Sequence, residues 1–304
     1  MKEIQQRILE LKAQRRAIIL AHNYQLPEVQ QIADYVGDSL GLSQKAAMHE
    51  AEVIVFCGVD FMAESAAILC PNKKVLVPDP KACCPMAAMI TPAQLKMERV
   101  KHLDAAVVCY VNTSAAVKAE SDICCTSANA IKVVNSLPEQ KIIFIPDKYL
   151  AAYVASKTKE KQIIPWEGYC PTHERITLAD LLWAKEEHPD AIVLVHPECK
   201  PEVITNADFV YSTGGMVKHV RNSNAREFLI GTEIGLIDRL KRENPEKKFY
   251  PISKQAICPN MKRNTLEKVL RCLEKMEFEV KVPEEIRSKA KQALDRMLEI
   301  GRGD

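Results

Sequence analysis

Three short apolar runs punctuate the chain at nearly equal intervals: AIILAHNYQ from residue 17, AAVVCYVNT from residue 105 and AIVLVHPEC from residue 191. Each is aliphatic and β-branched, too short for a helix of its own, and breaks into polar residues at its C-terminal end, which is the pattern of a buried strand. In register, His22, Tyr110 and His196 stand 88 and 86 residues apart, and so do Tyr24, Asn112 and Glu198. The intervals recur at Asp34, Asp122 and Asp208, and at the hydroxyls Ser39, Ser127 and Thr213. A second strand in each unit (VIVFCGVD, KIIFIPD, FLIGTE) brings Asp60, Asp147 and Glu233 at spacings of 87 and 86. A shorter third (KKVLVP, KQIIP, KKFYP) ends at Pro78, Pro165 and Pro251 with the same spacings. Every unit then closes on a Cys-Pro pair, at Cys84, Cys170 and Cys258, 86 and 88 residues apart.

Three copies of about 87 residues, alternating strands with helical-period segments such as LGLSQKAAMHEAE and ADLLWAKEEH, predict three related α/β units with parallel sheets. The units run 1–86 with an N-terminal helix, 87–172 and 173–261. A tail, 262–304, reads as two helices broken near Val282-Pro283 that pack on the first unit and carry no chemistry. Ligands of open parallel sheets sit beyond the carboxyl ends of the strands, which is where the repeated polar residues emerge. Asp34, Asp122 and Asp208 read as turn or helix caps, whereas Asp60, Asp147 and Glu233 have no assignment.

A chain of 304 residues whose 42 basic and 40 acidic side chains leave a net charge of +2 offers no electrostatic footprint for nucleic acid. Its apolar runs fall well short of the roughly 20 residues that cross a bilayer, and its start is a charged amphipathic segment without an apolar signal core. The expected location is the cytoplasm. Eleven cysteines then need an explanation other than disulfides. Cys57, Cys70, Cys109 and Cys272 read as core thiols. The three that repeat would meet if the units pack around a common axis, and a proline in the first helical turn would leave each cysteine as an N-cap, favouring the thiolate. Zinc normally completes four ligands, whereas a [4Fe–4S] cluster held by three thiolates keeps one iron open to polarise a C–OH bond. Register selects Cys84 over Cys83, which is expected to face the core. Cys124 and Cys125 receive no ligand role.

AHNYQ at 21–25, GDSL at 37–40, VPDPKACCPMA at 77–87, YVNTSA at 110–115, EGYCPTH at 167–173, VHPEC at 195–199, STGGM at 212–216 and CPNMKRNTL at 258–266 together resemble the quinolinate synthase family. The resemblance implies three similar three-layer αβα domains around a pseudo-threefold axis, with a [4Fe–4S] cluster held by Cys84, Cys170 and Cys258 beneath a central site. It also implies condensation of iminoaspartate with dihydroxyacetone phosphate to quinolinate, phosphate and water, in NAD biosynthesis and without NAD as cofactor. An aspartate oxidase or dehydrogenase would supply the iminoaspartate. Carried over residue by residue, the pocket comprises His22, Tyr24, Ser39, Tyr110, Asn112, Ser127, His196, Glu198, Ser212 and Thr213, with His173 a further candidate.

Hydroxyl and amide donors suit carboxylates and a phosphate, Gly214-Gly215 would let backbone N–H groups approach an anion, and His22, Tyr24, Tyr110, His173 and Glu198 are the candidate acids and bases. An incompletely ligated iron also predicts loss of activity in air. Two other classes stay open: an iron–sulfur hydro-lyase acting on another small acid, and a zinc-stabilised scaffold without catalysis.

Overall fold

The computed structural model describes residues 2–304. Helix α1 (Lys2–Gln14) leads into the first unit: β1 (Ala17–His22), α2 (Pro27–Ile32), β2 (Tyr35–Gly37), α3 (Ser39–Met48), β3 (Val53–Cys57), α4 (Asp60–Leu69) and β4 (Lys74–Leu76). The second repeats this after α5 (Pro92–Lys101), with β5 (Ala105–Tyr110), α6 (Ala115–Lys118), β6 (Ile123–Cys125), α7 (Ala130–Ser136), β7 (Lys141–Ile145), α8 (Lys148–Lys157) and β8 (Gln162–Pro165). The third follows α9 (Leu178–Glu187) with β9 (Ile192–Val195), α10 (Pro201–Ile204), β10 (Phe209–Val210), α11 (Thr213–Asn222), β11 (Glu227–Gly231), α12 (Gly235–Glu243) and β12 (Lys248–Pro251). Helices α13 (Leu266–Lys275) and α14 (Glu284–Ile300) complete the chain.

All three sheets are parallel, four-stranded and ordered alike: β2-β1-β3-β4, β6-β5-β7-β8 and β10-β9-β11-β12. Helices flank each sheet, so strands bury both faces and read as unbroken apolar runs. In β1, Ile18 and Leu20 face one core, while Ala17, Ile19 and Ala21 face a second that contains Ile8, Leu11, Val269 and Leu273 of α1 and α13. In the third sheet Val193, Val195 and Leu229 point to one side, and Leu194, Phe228 and Ile230 to the other.

Each unit has one strand more than the apolar pattern predicts. Strands β2, β6 and β10 are two or three residues long, too short to show a period. The aspartate before each of these strands is not a helix cap. Its carboxylate accepts the backbone N–H of the neighbouring strand: Asp34 from Ile19 at 2.8 Å, Asp122 from Val107 at 2.7 Å and Asp208 from Val193 at 2.8 Å. Its own N–H returns to the carbonyl of the same residue. These acids therefore repeat because each short edge strand needs a clamp.

The tail also departs from expectation. Helix α13 ends well before Val282-Pro283, at Met276, which takes the left-handed conformation (φ 52°). The alternating segment that follows lies along β4, with the Val77 N–H bonded to Phe278 O (3.1 Å) and the Val280 N–H to Val75 O (2.8 Å), so it covers a sheet edge. Helix α14 then packs against α4 of the first unit and α6 and β6 of the second, bridging two units.

Replacing Asp122 by alanine removes the bond from the Val107 N–H together with the Arg99 ion pair (3.1 Å) and should cost about 1–3 kcal/mol, read as a lower urea midpoint. An unchanged midpoint would contradict the clamp.

Candidate active site

His22, Tyr110 and the residues after Val195 leave the C-terminal ends of β1, β5 and β9, the central strands of the three sheets. They open into one cavity of about 230 Å³, lined from all three units. His22 and His196 are built alike. The Nδ1 of His22 accepts the Tyr24 N–H (3.2 Å) and the Nδ1 of His196 accepts the Glu198 N–H (3.3 Å), so in each ring Nε2 carries the proton. His196 Nε2 lies 3.1 Å from Ser127 Oγ, a contact between the third and second units. Burial lowers both histidines, His22 to about 4 and His196 to about 3. At neutral pH they are uncharged N–H donors.

Glu198 is the charged centre. Burial pushes its carboxyl up, but His173, His196 and the hydrogen bonds from His173 and Tyr110 overcome that and hold it at about 2. Tyr110 donates its hydroxyl to Oε1 at 2.6 Å, and His173 Nδ1 lies 2.7 Å from Oε2. With that proton on Nδ1, His173 Nε2 accepts from Thr232 Oγ1 at 2.8 Å, and Thr232 in turn accepts from the Tyr24 hydroxyl at 2.6 Å. Every donor in the series Tyr24, Thr232, His173 points toward Glu198. Desolvation and the Glu198 charge push both tyrosines well above their ordinary range, so both are protonated donors.

Cys84, Cys170 and Cys258 line the same cavity. Each begins a prolyl turn that continues into a short 3₁₀ turn rather than an α-helix, at Met86–Met89, His173–Arg175 and Met261–Arg263. Capping survives the change: the backbone N–H three residues on, from Ala87, His173 and Met261, faces each thiol. Burial nevertheless dominates and raises all three thiols, so in the bare pocket the dipole does not produce thiolates. Cys83 is exposed, not turned to the core as expected, and Cys124 and Cys125 are buried in β6. Three soft sulfur donors, each already oriented by an N–H and sharing one cavity, fit a metal cluster.

Ser39, Asn112, Ser127 and Thr213 also reach the cavity, and Asn112 Oδ1 is buried without a hydrogen-bond partner. Ser212 does not. It is the N-cap of α11, its Oγ accepting the Gly215 N–H (3.1 Å) and bonding the Arg302 guanidinium (3.0 Å). The glycines after it admit the chain's own tail: a Cβ on Gly214 would lie 2.5 Å from Arg302 Nη2 and 2.3 Å from the Asp38 Oδ2 it pairs with, and one on Gly215 would lie 2.4 Å from Asp304 Oδ2. Arg302 pairs with Asp38 (2.7 Å), and Asp304 accepts the Ser212 N–H (3.0 Å). The tail thus ties the α3 and α11 starts together, a role the sequence reading did not assign.

Thr232 was missed as well. It directly follows β11, but nothing equivalent repeats in the other units, so only its position after a strand end marks it.

The sequence model of the quinolinate synthetase A protein family matches residues 6–299. Among curated proteins, the chain is 59% identical over 298 residues to the quinolinate synthase of Methanosarcina barkeri, covering 98% of both chains. It is 60% identical over 294 residues to quinolinate synthase 1 of Methanosarcina acetivorans, covering 97% of this chain and 96% of the other. To the quinolinate synthase of Dehalococcoides mccartyi (strain CBDB1) it is 57% identical over 297 residues, 98% of both.

The neutral histidines set the acid response. The unfolded chain protonates them near pH 6.5 while the fold resists to about 4 and 3, so their stabilisation is complete above pH 6.5 and is lost as pH falls. The loss reaches about 1.4 kcal/mol per histidine per pH unit at most. Asp60, Asp147 and Glu233, raised by burial, act in the opposite sense, so the histidines are read from the difference: between pH 7 and pH 5 the urea midpoint of metal-free wild type should fall relative to that of the H22N/H196N double variant. Parallel midpoints in the two proteins would contradict this.

Proposed function

The chain belongs to the quinolinate synthetase A family, and from that premise we propose that it is a quinolinate synthase of NAD biosynthesis, condensing iminoaspartate with dihydroxyacetone phosphate to quinolinate, phosphate and two waters. On this reading the domains are 1–86, 87–172 and 173–261, with the tail 262–304. The supporting observation is the cavity itself, where strand ends and Cys-Pro turns of three units bring together three thiols, two neutral histidines and one ionised carboxylate with its hydrogen-bonded series.

In this proposal Cys84, Cys170 and Cys258 hold a [4Fe–4S] cluster, which when bound supplies an open iron as a Lewis acid for dehydration. The remaining chemistry belongs to side chains. Neutral His22 and His196, with Ser39, Ser127 and Thr213, present N–H and O–H donors to carboxylate, carbonyl and phosphate oxygens without fixing them as ion pairs. Asn112 Oδ1, lacking a partner, accepts from a substrate hydroxyl or N–H. Glu198 stays ionised, orienting His173 and stabilising positive charge on its ring, so a proton released at Tyr24 passes by way of Thr232 to His173, while Tyr110 donates to Glu198 from the other side. Enolisation, carbon–carbon bond formation and loss of water each require such a movement.

A second reading has a specific basis. Ligand atoms of Cys170, His173 and Glu198 lie within 4.8 Å of one another, a set that one zinc ion could take in a structural or hydrolytic site. Their closeness is already accounted for by the single His173 Nδ1–H, which donates to Glu198 at 2.7 Å with Cys170 Sγ beside it at 3.2 Å, and this favours the first reading.

Anaerobically purified protein given iminoaspartate and dihydroxyacetone phosphate should form quinolinate, and lose that rate in air. Absence of product under anaerobic conditions with intact cofactor would overturn the assignment. Replacing Thr232 by valine breaks the series and should lower kcat about 10²-fold with KM little moved; an unaltered kcat would remove Tyr24 from the proton route.

A further inference from the structure

The acids left without assignment in the repeat all meet the cysteine turns. In the first unit the Asp60 N–H donates to Ala82 O (2.8 Å), and Asp60 Oδ1 accepts the Cys84 N–H (3.1 Å). In the third, the Ile234 N–H donates to Ala256 O (3.0 Å), and Glu233 Oε1 accepts the Cys258 N–H (3.1 Å). In the second, the Lys148 N–H donates to Gly168 O (2.8 Å), and the Cys170 N–H is among the backbone donors turned toward the Asp147 carboxylate. In every unit, then, the start of the helix after the second strand takes the carbonyl two residues before the cysteine; in the first and third units its acid also accepts the amide of the cysteine itself, whereas in the second Asp147 Oδ2 is buried without a hydrogen-bond partner.

The clamp is fixed at its other end too. Asp60 is held by the Phe61 N–H (2.8 Å), Asp147 by the Leu150 N–H (2.7 Å), and Glu233 by the Gly235 N–H (2.7 Å) and Lys262 Nζ (2.9 Å). It is also tight, for a Cβ on Gly168 would stand 2.3 Å from Pro146 O. The other repeating acids, Asp34, Asp122 and Asp208, hold strand amides instead.

We propose that Asp60, Asp147 and Glu233 are positioning residues for Cys84, Cys170 and Cys258, accepting or facing the cysteine N–H so that three thiols from three separate turns arrive at one cluster in fixed orientation. The inference rests on the cluster reading above. Three ligands on independent loops form a site only if each backbone is held before the metal arrives, and the partners that orient metal ligands typically govern affinity by 10–100-fold. An asparagine or glutamine in place of the acid keeps an acceptor oxygen, and alanine does not.

The test is the rate at which full-length protein, reconstituted anaerobically, surrenders its cluster to an iron chelator, followed by the visible sulfur-to-iron absorption. D60A, D147A and E233A should release it about tenfold faster than wild type or more. D60N, D147N and E233Q should stay close to wild type. D60A is the decisive alanine variant, since Asp60 lies at the surface and its loss disturbs packing least. D122A, which removes a strand clamp, should lower the melting temperature of cluster-free protein without changing release. Wild-type release from D60A, or D60N as fast as D60A, would overturn the proposal. Wild-type protein that takes up no iron or sulfide would overturn the cluster reading first, and this inference with it.

Discussion

Glu198 is a carboxylate held almost fully out of water, and much of the cavity follows from keeping it ionised. Isolated burial of such a charge costs many kcal/mol unless hydrogen bonds and opposite charge replace the lost solvent. Here the replacement comes from two hydrogen-bond donors on different parts of the chain: Tyr110 from the second unit, and His173 from the chain leading into the third. The same donors place His173 against Thr232 and so bring Tyr24 of the first unit into the series. One buried charge thereby couples three strand ends that are far apart in sequence.

That coupling explains why the cavity sits between the units. Each parallel sheet can only deliver polar residues at its carboxyl edge, and a single edge holds too few to neutralise a carboxylate and still present free donors. Shared among three edges, the groups divide: Tyr110, His173 and Thr232 are occupied with Glu198 and one another, while His22, Asn112 and Ser39 remain directed at the cavity. The tail reinforces the arrangement at its rim, where Arg302 and Asp304 join Asp38 of the first unit to Ser212 of the third.

Much of this was legible in the sequence because it repeats. His22, Tyr110 and His196, the Cys-Pro pairs and the long strands carry one spacing, and a spacing kept through three copies reports a shared structural position even where the residue types differ. What does not repeat was hidden. Thr232 has no counterpart, and Arg302 and Asp304 lie outside the units altogether. Strands β2, β6 and β10 are too short for a hydrophobic period. Asp34, Asp122 and Asp208 were visible but misread, since a repeated acid before a short element looks like a cap until its partner across the sheet is known. Ser212 was placed in the pocket by the family resemblance, whereas capping α11 takes its hydroxyl away from the cavity.

The central claim is that thiols from three units serve one cluster, and iron with acid-labile sulfide on anaerobically purified protein tests it most directly. Wild type and C83A should each carry about four irons and four sulfides per chain, and C84A, C170A and C258A should each lose the cluster. Stoichiometric zinc in the wild type, or a cluster indifferent to any one of the three substitutions, would contradict the account.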